Sequence, residues 1–303
     1  MSTVPANMDT MADGPKFALV RIMRGALAGQ HWTFVAGVVI LAIILLVLVL
    51  APVIAPYDPA AQRLLSRLAA PDAAHLLGTD QLGRDVLSRI IFGGHFAMLI
   101  AAITLTLSAV IGTVVGAVSA RQGGLVDEAT MRVIDLLISF PEVVVAIFVI
   151  AVAGTGYGPL ILALTITGWT PFARMARALT LEINAKGYIQ AAEVLGCTRS
   201  FIIFRHVIPN AVRPIAAITF LRFGHKLITV GGLSYLGLGV QPPQSDWGAM
   251  LSEAQAYVER APWLVFAPGF AIFITALSVT WIGQGLELRA KRAQAAGGST
   301  DET

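Results

Sequence analysis

Arg222, His225, Lys226 and Thr229 fall at i, i+3, i+4 and i+7, a spacing that puts all four on one face of a helix. The stretch that carries them, about Ile215 to Leu236, is otherwise mostly apolar. A cation near the centre of a bilayer costs roughly 2.5–3.5 kcal/mol on insertion scales, so such a stripe should face a protein interior rather than lipid. Two uses stay open. The stripe forms a cationic wall of a solute path that attracts carboxylates, or it pairs structurally with Asp135, Glu142 or an acidic residue of a partner chain. His225 by itself reads as a hydrogen-bonded helix residue before it reads as a metal ligand.

Other chemistry is sparse. His31, His75, His95, His206 and His225 are scattered, and Cys197 is the single cysteine, so no catalytic residue and no metal site is expected. The chain has no G-x-x-x-x-G-K-[ST] phosphate loop, hence no visible means of binding ATP. Asp80, Arg84, Asp85 and Arg89 mix both signs over ten residues. That spacing suits a salt-bridged helix start, with acids near the helix N-terminus. Pro242-Pro243 favours an extended entry to a helix-like piece over Leu251 to Arg260, and Trp247 and Trp263 suit anchoring at a membrane interface.

These residues stand in a chain of 303 that is 56% hydrophobic and only 13% charged. A soluble domain carries about 25% charged residues, so neither a soluble globule nor a disordered chain is compatible with this composition. The fold class expected is all-α, a polytopic membrane bundle of six transmembrane helices. Phe34 to Ile54 is nearly unbroken apolar sequence, about the 20 residues a span needs, and Pro52, Pro56 and Pro59 end it. Later spans are expected at about Ala97–Ala120, from near Val133 to Ala153, at Leu160–Met175, at Ile215–Leu236 and between Arg260 and Glu287. The turn-forming run Gly154 to Pro159 separates the third and fourth. With both termini inside, fourteen Lys and Arg lie on the inner side against five outside, and the positive-inside rule selects that orientation.

The organisation that follows has five parts. Residues 1–30 form a cytoplasmic segment, 31–57 the first transmembrane helix and 58–96 a periplasmic segment. Residues 97–288 form a core of five further helices with a long inner loop at 182–210, and 289–303 a cytoplasmic tail. The extreme ends, 1–15 and 293–303, read as disordered. Within the inner loop, Gly187 to Asn210 reads as two short helices. Gly196 suits a left-handed C-cap, Thr198 or Ser200 caps the second helix, and Pro209 with Asn210 closes it.

That loop resembles the EAA loop of ABC importer permeases, roughly E-A-A-x-x-x-G and then I-x-L-P. It reads here Gln190-Ala191-Ala192-Glu193, Gly196 and His206-Val207-Ile208-Pro209. Leu77-Gly78-Thr79-Asp80, Gly123-Gly124, Phe140-Pro141, Ser234 to Pro243 and Trp247-Gly248 are similar to the second-permease type of the oligopeptide, dipeptide and nickel importers. The likeness covers about residues 31–290. It implies a non-catalytic subunit of the bacterial inner membrane. The implied partners are a second homologous permease, two ATPase subunits that bind ATP and Mg, and a periplasmic or extracellular solute-binding protein. The implied cargo is a peptide or related small solute, with no cofactor of the chain's own and no nucleic acid. The resemblance makes the EAA loop the contact that couples ATP-driven closure to the spans. Gln190 departs from the usual Glu and cannot form an ion pair to an ATPase, a role Glu193 one turn away could take in part. A secondary transporter is the alternative class, but it would want repeated halves and coupling-ion sites that the sequence does not show.

Overall fold

Charge-free stretches become the long helices. The computed structural model describes residues 32–239, 241, 244 and 246–298. Among these residues there is no strand, and ten helices have eight residues or more. They are α1 (Trp32–Val49), α2 (Val86–Gln122), α3 (Gly124–Ile138), α4 (Glu142–Ala153), α5 (Tyr157–Gly168), α6 (Thr170–Asn184), α7 (Gly187–Val194), α8 (Ile208–Tyr235), α9 (Trp247–Ala254) and α10 (Trp263–Gly298).

The bundle is built around α2, whose 37 residues give about 55 Å at 1.5 Å per residue. Helices α5, α6 and α8 pack along it, and α10 joins α8 to the peripheral α1. Backbones meet closely at glycines, as helices in lipid require. A Cβ on Gly112 would fall 2.3 Å from the Trp169 carbonyl oxygen, and one on Gly116 would fall 2.2 Å from that of Ala173. The main core holds Ile100, Leu160, Leu164, Leu227 and Leu233, and a second cluster around Ile183, Ile189, Ile202 and Val207 sits at the α7 end of the bundle. Apolar side chains such as Ile43, Leu46, Phe148 and Phe266 point outward, as expected where the surrounding solvent is hydrocarbon.

Three helices, Trp32–Val49, Val86–Gln122 and Trp263–Leu288, are long and apolar enough to cross a membrane, and two bent pairs raise the number to five. Six were expected. The difference lies in how the middle of the chain folds. The third span expected from Val133 is not one straight helix: α3 and α4 meet at 87°, because Pro141 has no N–H to continue the ladder and restricts Phe140 before it. The window Leu160–Met175 straddles α5 and α6, which are separated by Trp169. Gly154 and Gly156, with φ of 90° and 130°, make the expected turn between α4 and α5.

Other expectations need correction. Pro209 and Asn210 do not close the second loop helix. Arg199–Ile202 continues through a π turn, Ile203–Val207, directly into α8. Pro209 stands in the first turn of α8, where a missing N–H is harmless, and a bend of 51° falls instead between Val212 and Pro214. The stretch from Ala293 is helical as far as Gly298, since Ala293, Gln294, Ala295 and Ala296 are good helix formers that continue α10. The N-terminal segment 1–30 and Pro242-Pro243 lie outside the described residues.

Candidate functional site

The four residues of the α8 stripe do not converge on one point. Lys226 is buried and its Nζ donates to Glu142 Oε1, the first residue of α4. Arg222 and His225 are exposed. The Arg222 guanidinium stands 6.0 Å from the Phe172 ring centre on α6 and forms no ion pair with a described residue. Thr229 Oγ1 donates back to the His225 carbonyl at 3.0 Å, a local bond that leaves its methyl on the stripe. Asp135, the other possible partner, instead accepts from Arg174 of α6. So the stripe has one ion-paired cation in the seam between α8 and α4, while Arg222, within the field of the same Glu142 carboxylate, and His225 lie on the open side.

The loop around α7 is a hairpin clamped at its base. Ile189 is fully buried in the second cluster. Arg121, at the end of α2, donates to Glu193 and, at 3.1 Å, to Asn184 Oδ1. Glu193 is thus engaged within the chain. Helix α7 ends in a Schellman arrangement: Cys197 N donates to Ala192 O at 3.0 Å and Gly196 N to Glu193 O at 2.9 Å. This needs the left-handed φ of 80° at Gly196. Thr198 then caps the next helix, its Oγ1 accepting from Phe201 N at 3.2 Å. Of the paired alanines, Ala192 leans on the second cluster while Ala191 is exposed beside Gln190. The tip projects two apolar residues into open space, Val194 at 88% and Leu195 at 82% exposure. Sequence reasoning used Leu195 only as a helix former and gave neither residue a contact role, although their place beside the αL glycine marks them as a tip.

Helix α6, which the hairpin base rests on, is tied to the first turn of α3. Arg177 donates from Nε and Nη2 to the two oxygens of Asp127 at 2.7 and 2.6 Å, the bidentate form that fixes geometry as well as charge. The Arg177 hydrogen bonds hold the Asp127 carboxyl below its ordinary range against the opposing effect of partial burial, with help from Ser119.

At the other end of the bundle the mixed-charge segment closes into a network. Asp85 caps α2, accepting from Ser88 N at 2.8 Å, and also accepts from His75 at 2.9 Å. Asp80 takes Arg84 and Arg89, each at 2.6 Å. Both arginines reach on to Glu253 of α9, which Gln81 also contacts at 2.7 Å. Trp247 is not the interface anchor expected, and Trp263 is half-buried. Trp247 is buried and donates to the Ile90 carbonyl at 2.9 Å, and Trp263 donates to that of Thr79 at 3.4 Å. Gly248 lets α9 press on α8, where a Cβ would fall 2.1 Å from the Gly231 oxygen. Among the described residues no group of three His, Cys, Asp or Glu is placed to hold a metal ion.

The comparisons agree with this geometry. Residues 112–292 match the family described as "Binding-protein-dependent transport system inner membrane component", and residues 30–71 match the "N-terminal TM domain of oligopeptide transport permease C". The nickel transport system permease protein NikC of Escherichia coli K12 is 34% identical over 85% of this chain and 93% of its own length. The glutathione transport system permease protein GsiD of Pectobacterium atrosepticum is 36% identical over 85% of each. The oligopeptide transport system permease protein OppC of Bacillus subtilis is 34% identical over 89% of this chain and 87% of its own. Among solved structures, a chain of the MetNI methionine ABC transporter in inward facing conformations superposes with a TM-score of 0.55. It is 18% identical and covers 68% of this chain and 96% of that one, a likeness of fold.

Proposed function

The chain belongs to the family of binding-protein-dependent transport system inner membrane components, among the permeases of the peptide and nickel ABC importers, and on that premise we propose its part in the transport cycle. It is a multi-pass subunit of the bacterial inner membrane with six crossings, α7 and both termini on the cytoplasmic side. It pairs with a second related permease. Two separate ATPase subunits, which bind ATP and Mg, receive the α7 hairpin, and a solute-binding protein docks over α9 on the opposite face. The cargo is a peptide or a related small solute such as a nickel chelate, a glutathione-like molecule or an opine. The exposed side of the α8 stripe, Arg222 and His225 with Thr229, faces the solute path.

The α7 hairpin carries this reading. Its base is held by buried Ile189 and by Arg121, while its tip exposes Gln190, Val194 and Leu195. A rigid base with an apolar tip is what a lever needs: the tip gains by burial against a partner, and the base passes displacement to α2 and α6. Alternating access then follows from ATP-driven movement of the tip. The decisive experiment is copurification of the ATPase subunits with Gly196→Pro. Proline fixes φ near −65°, against the 80° observed, and removes the N–H that bonds Glu193 O. Association and transport are expected to be lost; both unchanged would overturn the coupling assignment.

A further inference from the structure

Lys226 has three ammonium donors, and Glu142 takes one. Beside its Nζ is a niche left by the missing side chain of Gly168, the last residue of α5. A Cβ there would lie 3.3 Å from Lys226 Nζ and 2.6 Å from Ser108 Oγ. An ammonium and a hydroxyl thus border the same small space. Ser108 on α2 is fully buried, yet its hydroxyl bonds to no described residue. Thr104, one turn earlier on α2, and Thr167, next to Gly168 in the chain, are buried with unbonded hydroxyls too. Leaving a buried hydroxyl unpaired is costly, so the set calls for a donor.

Glu142 is placed differently. It starts α4 just after the 87° corner, keeps 26% exposure of its side chain, and belongs to a helix that rests mainly on α5 and touches α8 at few places. Across the corner, α3 is bound to α6 by Asp127–Arg177 and Asp135–Arg174. Displacement of α6 with the hairpin is therefore transmitted to the residue that holds Lys226. Withdrawal of Glu142 would leave a buried cation without its counter-charge, a severe penalty, which a second hydrogen-bond acceptor within reach of the flexible lysine stem lessens by keeping the ammonium donors satisfied.

We propose that Lys226 has two seats: Glu142 in the present arrangement, and the Ser108 hydroxyl over Gly168 when α4 moves away. The exchange keeps the ammonium hydrogen-bonded as the seam between α8 and α4 parts: it loses its counter-charge but not its acceptor. This deepens the proposed function, since it rests on α8 bordering the path.

The test uses the complete transporter, assembled with its ATPase subunits and binding protein. Ser108→Ala deletes the second acceptor and Gly168→Ala fills the niche. Each is expected to copurify with the ATPase and to slow transport roughly tenfold, the scale of one lost hydrogen bond to a charged group. Wild-type transport by assembled Ser108→Ala overturns the second seat and is also the result if an internal water alone satisfies that hydroxyl. A second measurement covers variants that fail to assemble. Glu142→Cys and Lys226→Cys, in a Cys197→Ser background, are joined by a short thiol crosslinker with and without ATP. Crosslinking that falls with ATP shows the parting of α4 from α8 that the exchange requires, leaving Ser108→Ala to test the second seat, and equal yield overturns the exchange. Gly196→Pro separately tests the importer reading, which failure of the exchange would leave standing.

Discussion

Arg89, in the first turn of α2, donates to both carboxylate oxygens of Glu253, 164 residues further along the chain, at 3.0 and 3.3 Å. The pair ties α9 to the start of α2 and shares Asp80 and Arg84. Glu253→Ala leaves two buried guanidinium groups to share the single carboxylate of Asp80. It is expected to cost about 1–3 kcal/mol, with Glu253→Gln recovering part through its amide oxygen. Thermal unfolding of the detergent-purified complex measures this.

The same end of the molecule contains two acids of opposite pH behaviour. Burial pushes Glu253 up, but the Arg89 charge and hydrogen bond, with Gln81 and Arg84, outweigh it and hold the carboxyl below its ordinary 4.5. Its contribution is present above pH 4.5 and is lost as pH falls through the lower folded value. Asp246 is raised above 3.8 by burial, against hydrogen bonds from Ser234, Ala249 and Gly248. Its folded form binds the proton more tightly, so its contribution declines as pH rises from 3.8 through the raised value. Asp246→Asn should abolish that decline, leaving stability flatter over this interval, while Glu253→Gln should flatten the profile below 4.5. Unfolding midpoints collected against pH distinguish them.

The α2–α6 contact depends on Gly116. Alanine there would place a methyl 2.2 Å from the Ala173 carbonyl, and backbone cannot yield as a side chain does. Gly116→Ala should destabilise by roughly 1–3 kcal/mol or more through overpacking and lower the yield of folded chain. Gly158→Ala, with nothing within 4 Å, is the control and should be neutral or slightly stabilising.

The hairpin tip should be needed only by the partner. Leu195 is 82% exposed, so Leu195→Asp is expected to leave folding and membrane insertion intact. Burying that carboxylate in an apolar contact is expensive. ATPase association should weaken by tenfold or more, readable by copurification at graded ATPase concentration.

How much of this was legible varies with the range of the interaction. Gly196, Thr198 and the Gly154–Gly156 turn were readable because caps and turns depend on backbone dihedrals and a few neighbouring atoms. The mixed charges at Asp80 to Arg89 were readable as a helix start, yet Glu253 was invisible as their partner, being remote in sequence. The tryptophans show the same limit: composition sends Trp to a membrane interface, and packing against Gly94 sends Trp247 inward. Pro209 misled because a proline permits a helix to begin as readily as it makes one end.

The amino-acid sequence by itself determined that this is a membrane bundle, because sparse charge and long apolar runs leave no soluble alternative, and it determined where a hairpin must turn. Only the tertiary structure decided which cation of the α8 stripe is neutralised. Helical spacing puts Arg222, His225 and Lys226 on one face, but whether a carboxylate or open space stands opposite depends on where the Pro141 corner delivers Glu142. That is set by the packing of α4 on α5 and of α5 on α2, not by any local pattern.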